Sequence, residues 1–216
     1  MPNLQLFAKT GKKIIGVAAN YRTLLKVLKR DVPKEPGIFI KPSTSYVTEG
    51  ERILIPRDFS VNEEVELGVI IGKKAKHVSR EEAMNFVGGY CVALDMTATC
   101  RMQEARSTGG SWTLGKGFDT ATPVGKLIPT SDIPNPHDLT LWCSVNGTKR
   151  QEGSTSDMVF DIPTLISFIS KFMTLEENDL ILTGSPPGMG PVHKGDIIEA
   201  GIRGLTQIQF NVDKEQ

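Results

Sequence analysis

A chain of 216 residues has room for one domain with a sizeable core, or at most two small ones. Acidic and basic residues balance at 25 each, so there is no electrostatic footprint for nucleic acid or an anionic membrane surface, and a small neutral or acidic ligand is easier to accommodate. Cys91, Cys100 and Cys143 are odd in number and lack metal-ligand spacing, and no apolar run approaches the ~18 to 20 residues of a membrane span, so free core thiols in a reducing compartment are expected.

From the N-terminus, MPNLQLFAKTGKKII lacks the apolar region of a signal peptide, and Lys9, Lys12 and Lys13 lack the Arg-rich character of a transit peptide. A cytoplasmic or mitochondrial location is expected. Short β-branched runs bounded by turn residues then predict strands at KIIGVA (13–18), GIFIK (37–41), RILI (52–55), EVELGVIIG (64–72) and GYCVALDM (89–96). Further strands are predicted at LTLWCSV (139–145), DLILTG (179–184), DIIEAG (196–201) and LTQIQFNV (205–212). Asn146-Gly147 is a hairpin turn that leads from LTLWCSV into TKRQEG as its partner. Two helices are predicted. SREEAMNFV begins with a Ser79/Glu82 capping box, and DIPTLISFISKFM carries an apolar stripe of Ile162, Leu165, Ile166, Ile169 and Met173 behind Asp161 and Pro163. The class is mainly β (α+β), and with no repeat or linker the chain reads as an N-terminal segment, 1–12, and one domain, 13–216.

The chemistry is concentrated in the fourth predicted strand. Strand side chains alternate faces, so Glu64 and Glu66 share one face, roughly 7 Å apart along the strand, while Val65 and Leu67 share the other. Buried carboxylates need compensation. Asp95, at the end of the next apolar run, supplies a third acid, and an all-oxygen set suits a hard cation, Mg²⁺ first and Mn²⁺ or Ca²⁺ behind it. The same spacing also fits a solvated acidic face. Lys116, flanked by glycines in WTLGKGFDTATPVG, can meet a ligand anion or stand as a surface lysine. LTGSPPGMG, with Thr183 and Gly184, offers backbone N–H groups to a carboxylate, although it is equally a tight loop and lacks the ending of a P-loop. His77, His137 and His193 stand in polar or turn-like surroundings and read as exposed.

Taken in order, KPSTSYVTEG, EVELGVIIG, VGGYCVALDMTA, WTLGKGFDT, VNGTKRQEGSTSDMVF and DLILTGSPPGMGPVHKGDIIEAG resemble the fumarylacetoacetate hydrolase family, in particular its small acylpyruvase and oxaloacetate decarboxylase members. The resemblance implies a mixed β-roll with a few short helices and a homodimer. It also implies Mg²⁺ or Mn²⁺ held by Glu64, Glu66 and Asp95, and a 2-oxo acid substrate chelated through its 2-oxo and carboxylate oxygens. It places Lys116 against the developing enolate, Thr183 and Gly184 on a substrate oxygen, and Lys41 near the pocket.

Five positions depart from the family pattern. In AANYRTLLKVLKR, Ala19 stands for an Arg, and Leu24 and Val27 for the His and Glu that activate water in hydrolytic members; Thr99 and Met102 replace an Arg and a Gln. A positioned general base contributes roughly 10² to 10⁴ in rate, so hydrolysis of a C–C bond is expected to be weak. Chemistry that needs only polarisation of a 2-oxo acid through an enolate survives: oxaloacetate tautomerisation or decarboxylation. The competing readings are an acylpyruvate hydrolase and a metal-binding pseudoenzyme.

Overall fold

The computed structural model describes residues 4–215. Its strands, in chain order, are β1 (Ile14–Val17), β2 (Ile38–Lys41), β3 (Tyr46–Thr48), β4 (Arg52–Ile55), β5 (Val61–Asn62), β6 (Val65–Ile71), β7 (Val87–Leu94) and β8 (Thr97–Ala98). They continue with β9 (Thr122–Val124), β10 (Thr140–Val145), β11 (Thr148–Ser154), β12 (Leu180–Leu182), β13 (Pro191–Val192), β14 (Ile197–Ile202) and β15 (Thr206–Lys214). The helices are α1 (Phe7–Thr10), α2 (Arg22–Val27), α3 (Thr99–Thr108), α4 (Thr113–Lys116) and α5 (Ile162–Phe172). The mainly β class and the expected mixed β-roll are both observed.

A seven-stranded sheet runs β2-β1-β12-β6-β7-β9-β3, a five-stranded sheet β11-β10-β14-β15-β4, and a small sheet β13-β5-β8. Parallel pairing of β1 with β12 and of β3 with β9 makes the large sheet mixed. That sheet is strongly curled. Three strands separate β2 from β7 in the order, about 19 Å across a flat sheet, yet the Lys41 ammonium on β2 lies 2.5 Å from the Asp95 carboxylate just beyond β7.

The curl gives the sheet an inside and an outside. Alternate residues Ile14, Leu180, Leu182, Ile70, Cys91, Ala93 and Val124 form a core of their own together with Phe7 of α1. Their partners along the same strands, such as Ile15, Leu67, Val69, Val92 and Leu94, belong to the main core, which also takes in the five-stranded sheet and α5. Glu66 and Lys41 follow the alternation of the smaller core, so the charged groups stand at the open end of the roll's interior.

Each predicted strand is observed to within a few residues, and the hairpin turns at Asn146-Gly147 as expected, whereas the short strands β3, β5, β8, β9 and β13 and the helices α1 to α4 were not predicted. The stripe helix is α5, with Asp161 Oδ1 accepting from the Thr164 N–H at 3.0 Å. SREEAMNFV is a correction. Ser79 Oγ does accept from the Glu82 N–H at 3.3 Å, but only a 3₁₀ turn, Ala83–Phe86, forms before Val87 enters β7. No helix among the described residues is long and apolar enough to cross a membrane.

Candidate metal centre and active site

The antiparallel ladder of β6 and β7 builds the acidic cluster. Val65 pairs with Leu94 and Glu66 with Ala93, and the Asp95 N–H donates to the Glu64 carbonyl at 2.8 Å, so the ladder continues to a Glu64–Asp95 pair. Residues directly opposite share a face, as do residues two apart. One carboxylate oxygen from each of Glu64, Glu66 and Asp95 therefore lies within 4.8 Å of the others.

Two lysines enter from other elements. Lys41, fully buried at the end of β2, donates to Asp95 Oδ1 at 2.5 Å and to the carbonyls of Ala121 at 2.8 Å and Met96 at 3.4 Å. Burial lowers its pKa, but with three acceptors facing it the group is an ammonium. Lys116, on the last turn of α4, donates to Asp95 Oδ2 at 2.5 Å, Thr97 Oγ1 at 2.6 Å and Glu64 Oε2 at 3.1 Å. Burial opposes its charge, and Asp95 and Glu64 more than compensate, holding it above the ordinary lysine range.

Three carboxylates thus face two ammonium groups. Burial works against the Asp95 charge, yet Lys116 and Lys41 keep it below the usual carboxylate range. Glu66 carries the imbalance. Burial, then Asp95 and Glu64, push its pKa well above normal, and the Gly184 N–H at 2.6 Å only partly offsets them. A divalent cation among these oxygens supplies the missing positive charge, so the donor set fits a hard metal ion.

The loop after β12 positions Glu66. Gly184 has φ +99°, and a Cβ there would stand 2.7 Å from the Asn20 Cβ, so both conformation and space require glycine. Asn20 fixes this loop by donating from Nδ2 to the Thr183 carbonyl at 2.8 Å and to the Phe160 carbonyl at 2.9 Å. Thr183 Oγ1 donates to the Leu67 carbonyl at 2.9 Å, deep in the sheet. Thr183 and Gly184 belong to this scaffold, and the neighbouring Ser185 lines the cavity.

That cavity, about 280 Å³, opens above the acids. Phe39 forms part of its wall because β2 sets it opposite Gly16, where a Cβ would come within 2.2 Å of the ring. Trp112 packs against Phe39 at 5.8 Å between centroids, and the Lys116 ammonium lies 4.9 Å from the Phe39 centroid. Ala19, Leu24, Thr99 and Met102, four of the five departures from the family pattern, also line it. Val27 does not. At the end of α2 it is 68% exposed, because Leu24 and Leu25 take the buried face of that short helix. No histidine lines the cavity; His77 and His193 are exposed and His137 is half-buried, accepting the Ile162 N–H at 3.3 Å.

Sequence reasoning missed the supports. Asn20 and Gln151 lie in no local pattern, yet Gln151 ties the Val65 N–H to the Ser185 hydroxyl, at 2.9 and 2.7 Å. Phe39, Arg30 and Arg106 also line the cavity and carried no sequence signal.

Known proteins are similar to this chain in sequence and fold. The chain is 47% identical to the mitochondrial oxaloacetate tautomerase of Homo sapiens over 214 residues, covering 99% of this chain and 97% of that one. It is 50% identical to the mitochondrial oxaloacetate tautomerase of Oryza sativa over 208 residues, covering 94% and 92%. Among solved structures, the fumarylpyruvate hydrolase of Pseudomonas aeruginosa in complex with Mn²⁺ and pyruvate superimposes with a TM-score of 0.87 at 29% identity, covering 95% of this chain and 91% of that one. The family model described as fumarylacetoacetate (FAA) hydrolase C-terminal matches residues 13–213, and the chain belongs to that family.

Proposed function

We propose that this protein is a divalent-metal-dependent tautomerase of oxaloacetate-type 2-oxo acids, with residues 13–216 as its single catalytic domain. The observation that carries the reading is a cavity that combines three clustered carboxylates and a lysine with an apolar residue, Leu24, where hydrolytic members hold a histidine. The tautomerase relatives, alike over nearly their whole length, are named for oxaloacetate.

Glu64, Glu66 and Asp95 would hold Mg²⁺ or Mn²⁺, which supplies Lewis acidity toward a 2-oxo oxygen. Lys116 is charged and sits beside the acids, so its role is donation: it stabilises negative charge on the substrate oxygen as the enolate develops. Lys41 fixes the Asp95 carboxylate from behind and keeps it ionised. Exposed Arg30 and Leu28 among the lining residues mark a cavity that opens to solvent, so water is at hand to exchange the proton at C3. Tautomerisation needs no activated water. Cleavage of a C–C bond does, and the wall offers no imidazole to generate one.

The deciding experiment follows enol-oxaloacetate absorbance with purified protein, Mg²⁺, and then excess chelator. Accelerated ketonisation that the chelator abolishes is the expected result, with acetylpyruvate cleaved poorly. Efficient acetylpyruvate cleavage would establish a hydrolase instead, and pyruvate formation from oxaloacetate would mark decarboxylation. The homodimer is carried over from the family resemblance, for sedimentation to test. A mitochondrial or cytoplasmic location accords with the names of the relatives.

A further inference from the structure

The cavity holds two cations that the fold does not use. Arg52, Arg80, Arg101, Arg150 and Arg203 each reach a carboxylate of the protein, whereas Arg30 and Arg106 line the cavity with no side-chain acceptor among the described residues. Local structure puts both there. Beyond α2, Lys29 lies in the left-handed region at φ +52° and the Arg30 N–H donates to the Leu25 carbonyl at 3.0 Å, a cap that keeps Arg30 on the wall with Leu24 and Leu28. On α3, Thr99, Met102 and Arg106 recur at helical spacing, and all three line the cavity. The Arg106 guanidinium lies 5.9 Å from the Trp112 centroid, and Trp112 packs on Phe39, so an aromatic face steadies it.

The hydroxyl groups of the wall are already engaged. Thr99 Oγ1 donates to the Ser60 carbonyl at 3.1 Å, Thr97 Oγ1 accepts from Lys116 at 2.6 Å, and Ser185 Oγ accepts from Gln151 at 2.7 Å. Among the described residues that leaves the Asn62 amide, the Trp112 indole and the two guanidinium groups as side-chain donors on the wall without an acceptor, and only the guanidinium groups carry charge. The floor is balanced for one carboxylate. Three carboxylates, two ammonium groups and a divalent cation leave a single positive charge, which the C1 carboxylate of a chelated 2-oxo acid cancels. A second carboxylate then needs a cation elsewhere.

We propose, resting on the function assigned above, that Arg30 and Arg106 form the subsite for the substrate's second carboxylate and select dicarboxylic 2-oxo acids over monocarboxylic ones. A guanidinium fork matches a carboxylate by paired hydrogen bonds. The cavity volume of 280 Å³ equals the share of about nine waters in liquid, comparable with a four-carbon diacid that reaches from the floor to the mouth. The grip also bears on the reaction. Decarboxylation moves the charge of that carboxylate into the enolate, so cations that hold it oppose loss of CO₂, whereas tautomerisation leaves it in place.

The test compares ketonisation of enol-oxaloacetate and of its 4-ethyl ester, which keeps the 2-oxo acid head and loses the second charge, by the Mg²⁺-loaded protein. The expected kcat/KM is higher for the diacid by about tenfold or more, and combining Arg30→Gln with Arg106→Gln is expected to bring the two substrates to within about threefold. Both side chains are exposed, so the melting temperature of the double variant is expected to match the wild type, and a damaged fold would not change the ratio of the substrates. A readout free of turnover uses malate and lactate, which chelate a cation through a hydroxyl and the C1 carboxylate but cannot enolise. In calorimetry with Mg²⁺, malate is expected to bind about tenfold more tightly than lactate, and the double variant to remove the difference. An ester turned over as well as the diacid, a variant that keeps the wild-type preference, or malate bound no better than lactate overturns the inference and leaves the proposed function intact. If neither enol is turned over the proposed function falls, and the malate comparison still decides the subsite.

Discussion

Glu66 bears most of the strain in the acidic cluster, since burial and two neighbouring carboxylates raise its pKa while one backbone N–H holds it. Glu66→Gln keeps an oxygen for the Gly184 N–H and removes the charge. Its melting temperature without metal is expected to be unchanged or higher, while divalent-cation affinity in calorimetry falls by about 100-fold or more. A less stable variant that still binds the cation would show a structural role instead. Glu63, one residue before the cluster, makes a pH-dependent contribution of its own. Burial raises its pKa to about 7, against the pull of Arg150 at 3.4 Å and the Gly190 N–H at 3.2 Å. A carboxyl that holds its proton more tightly when folded stabilises the fold fully below its unfolded pKa. That stability is lost as pH rises from about 4.5 to about 7, by roughly 3 kcal/mol in all. Glu63→Gln is therefore expected to flatten the decline, measured by urea unfolding of metal-free protein across that window; an unchanged slope would assign it to another group.

At the scale of elements, the turn after β12 couples the fold to the site. Gly184→Ala must fit a Cβ 2.7 Å from the Asn20 Cβ at φ +99°, so a loss of about 1 to 3 kcal/mol is expected in urea unfolding. Cation affinity is expected to fall with it, because the Gly184 N–H orients Glu66. Retained affinity would show that Glu66 holds its position without the turn. Elements differ in how plainly the sequence announces them. Nine strands were legible because each is an apolar run bounded by turn residues, and α5 because its stripe and Asp161 cap coincide, whereas β3, β5, β8, β9 and β13, two or three residues each, carry no run long enough to read. α3 was not, since only Met102 and Ala105 are buried along it and it has no apolar stripe. The ExE spacing exposed Glu64 and Glu66, and Asp95 ended a recognisable run. Asn20 and Gln151 contact their partners across 163 and 86 residues of sequence, and nothing local marks such contacts.

For the whole molecule, the curl of the large sheet decides where charge can be buried, and it depends on pairings such as β1 with β12 that unite residues 14–16 with 180–182. No local pattern encodes that register. Its consequence is that Lys41, Lys116 and the three acids come from β2, α4 and the β6–β7 ladder, so bringing them together requires the folded chain. The unfolded chain cannot gather them, and a cation that binds only the folded state stabilises it by mass action. At a concentration 100 times its dissociation constant the gain is about 2.7 kcal/mol. For a domain of this size each kcal/mol moves the midpoint by about 2 to 4 °C, so Mg²⁺ or Mn²⁺ is expected to raise the melting temperature by roughly 5 to 10 °C, reversibly on chelation. Replacing Asp95 with Asn leaves Lys41 and Lys116 without their shared carboxylate, so the metal-free protein is expected to melt lower and the cation-dependent rise to vanish. An Asp95→Asn variant that kept the full rise would place the bound cation elsewhere on the molecule.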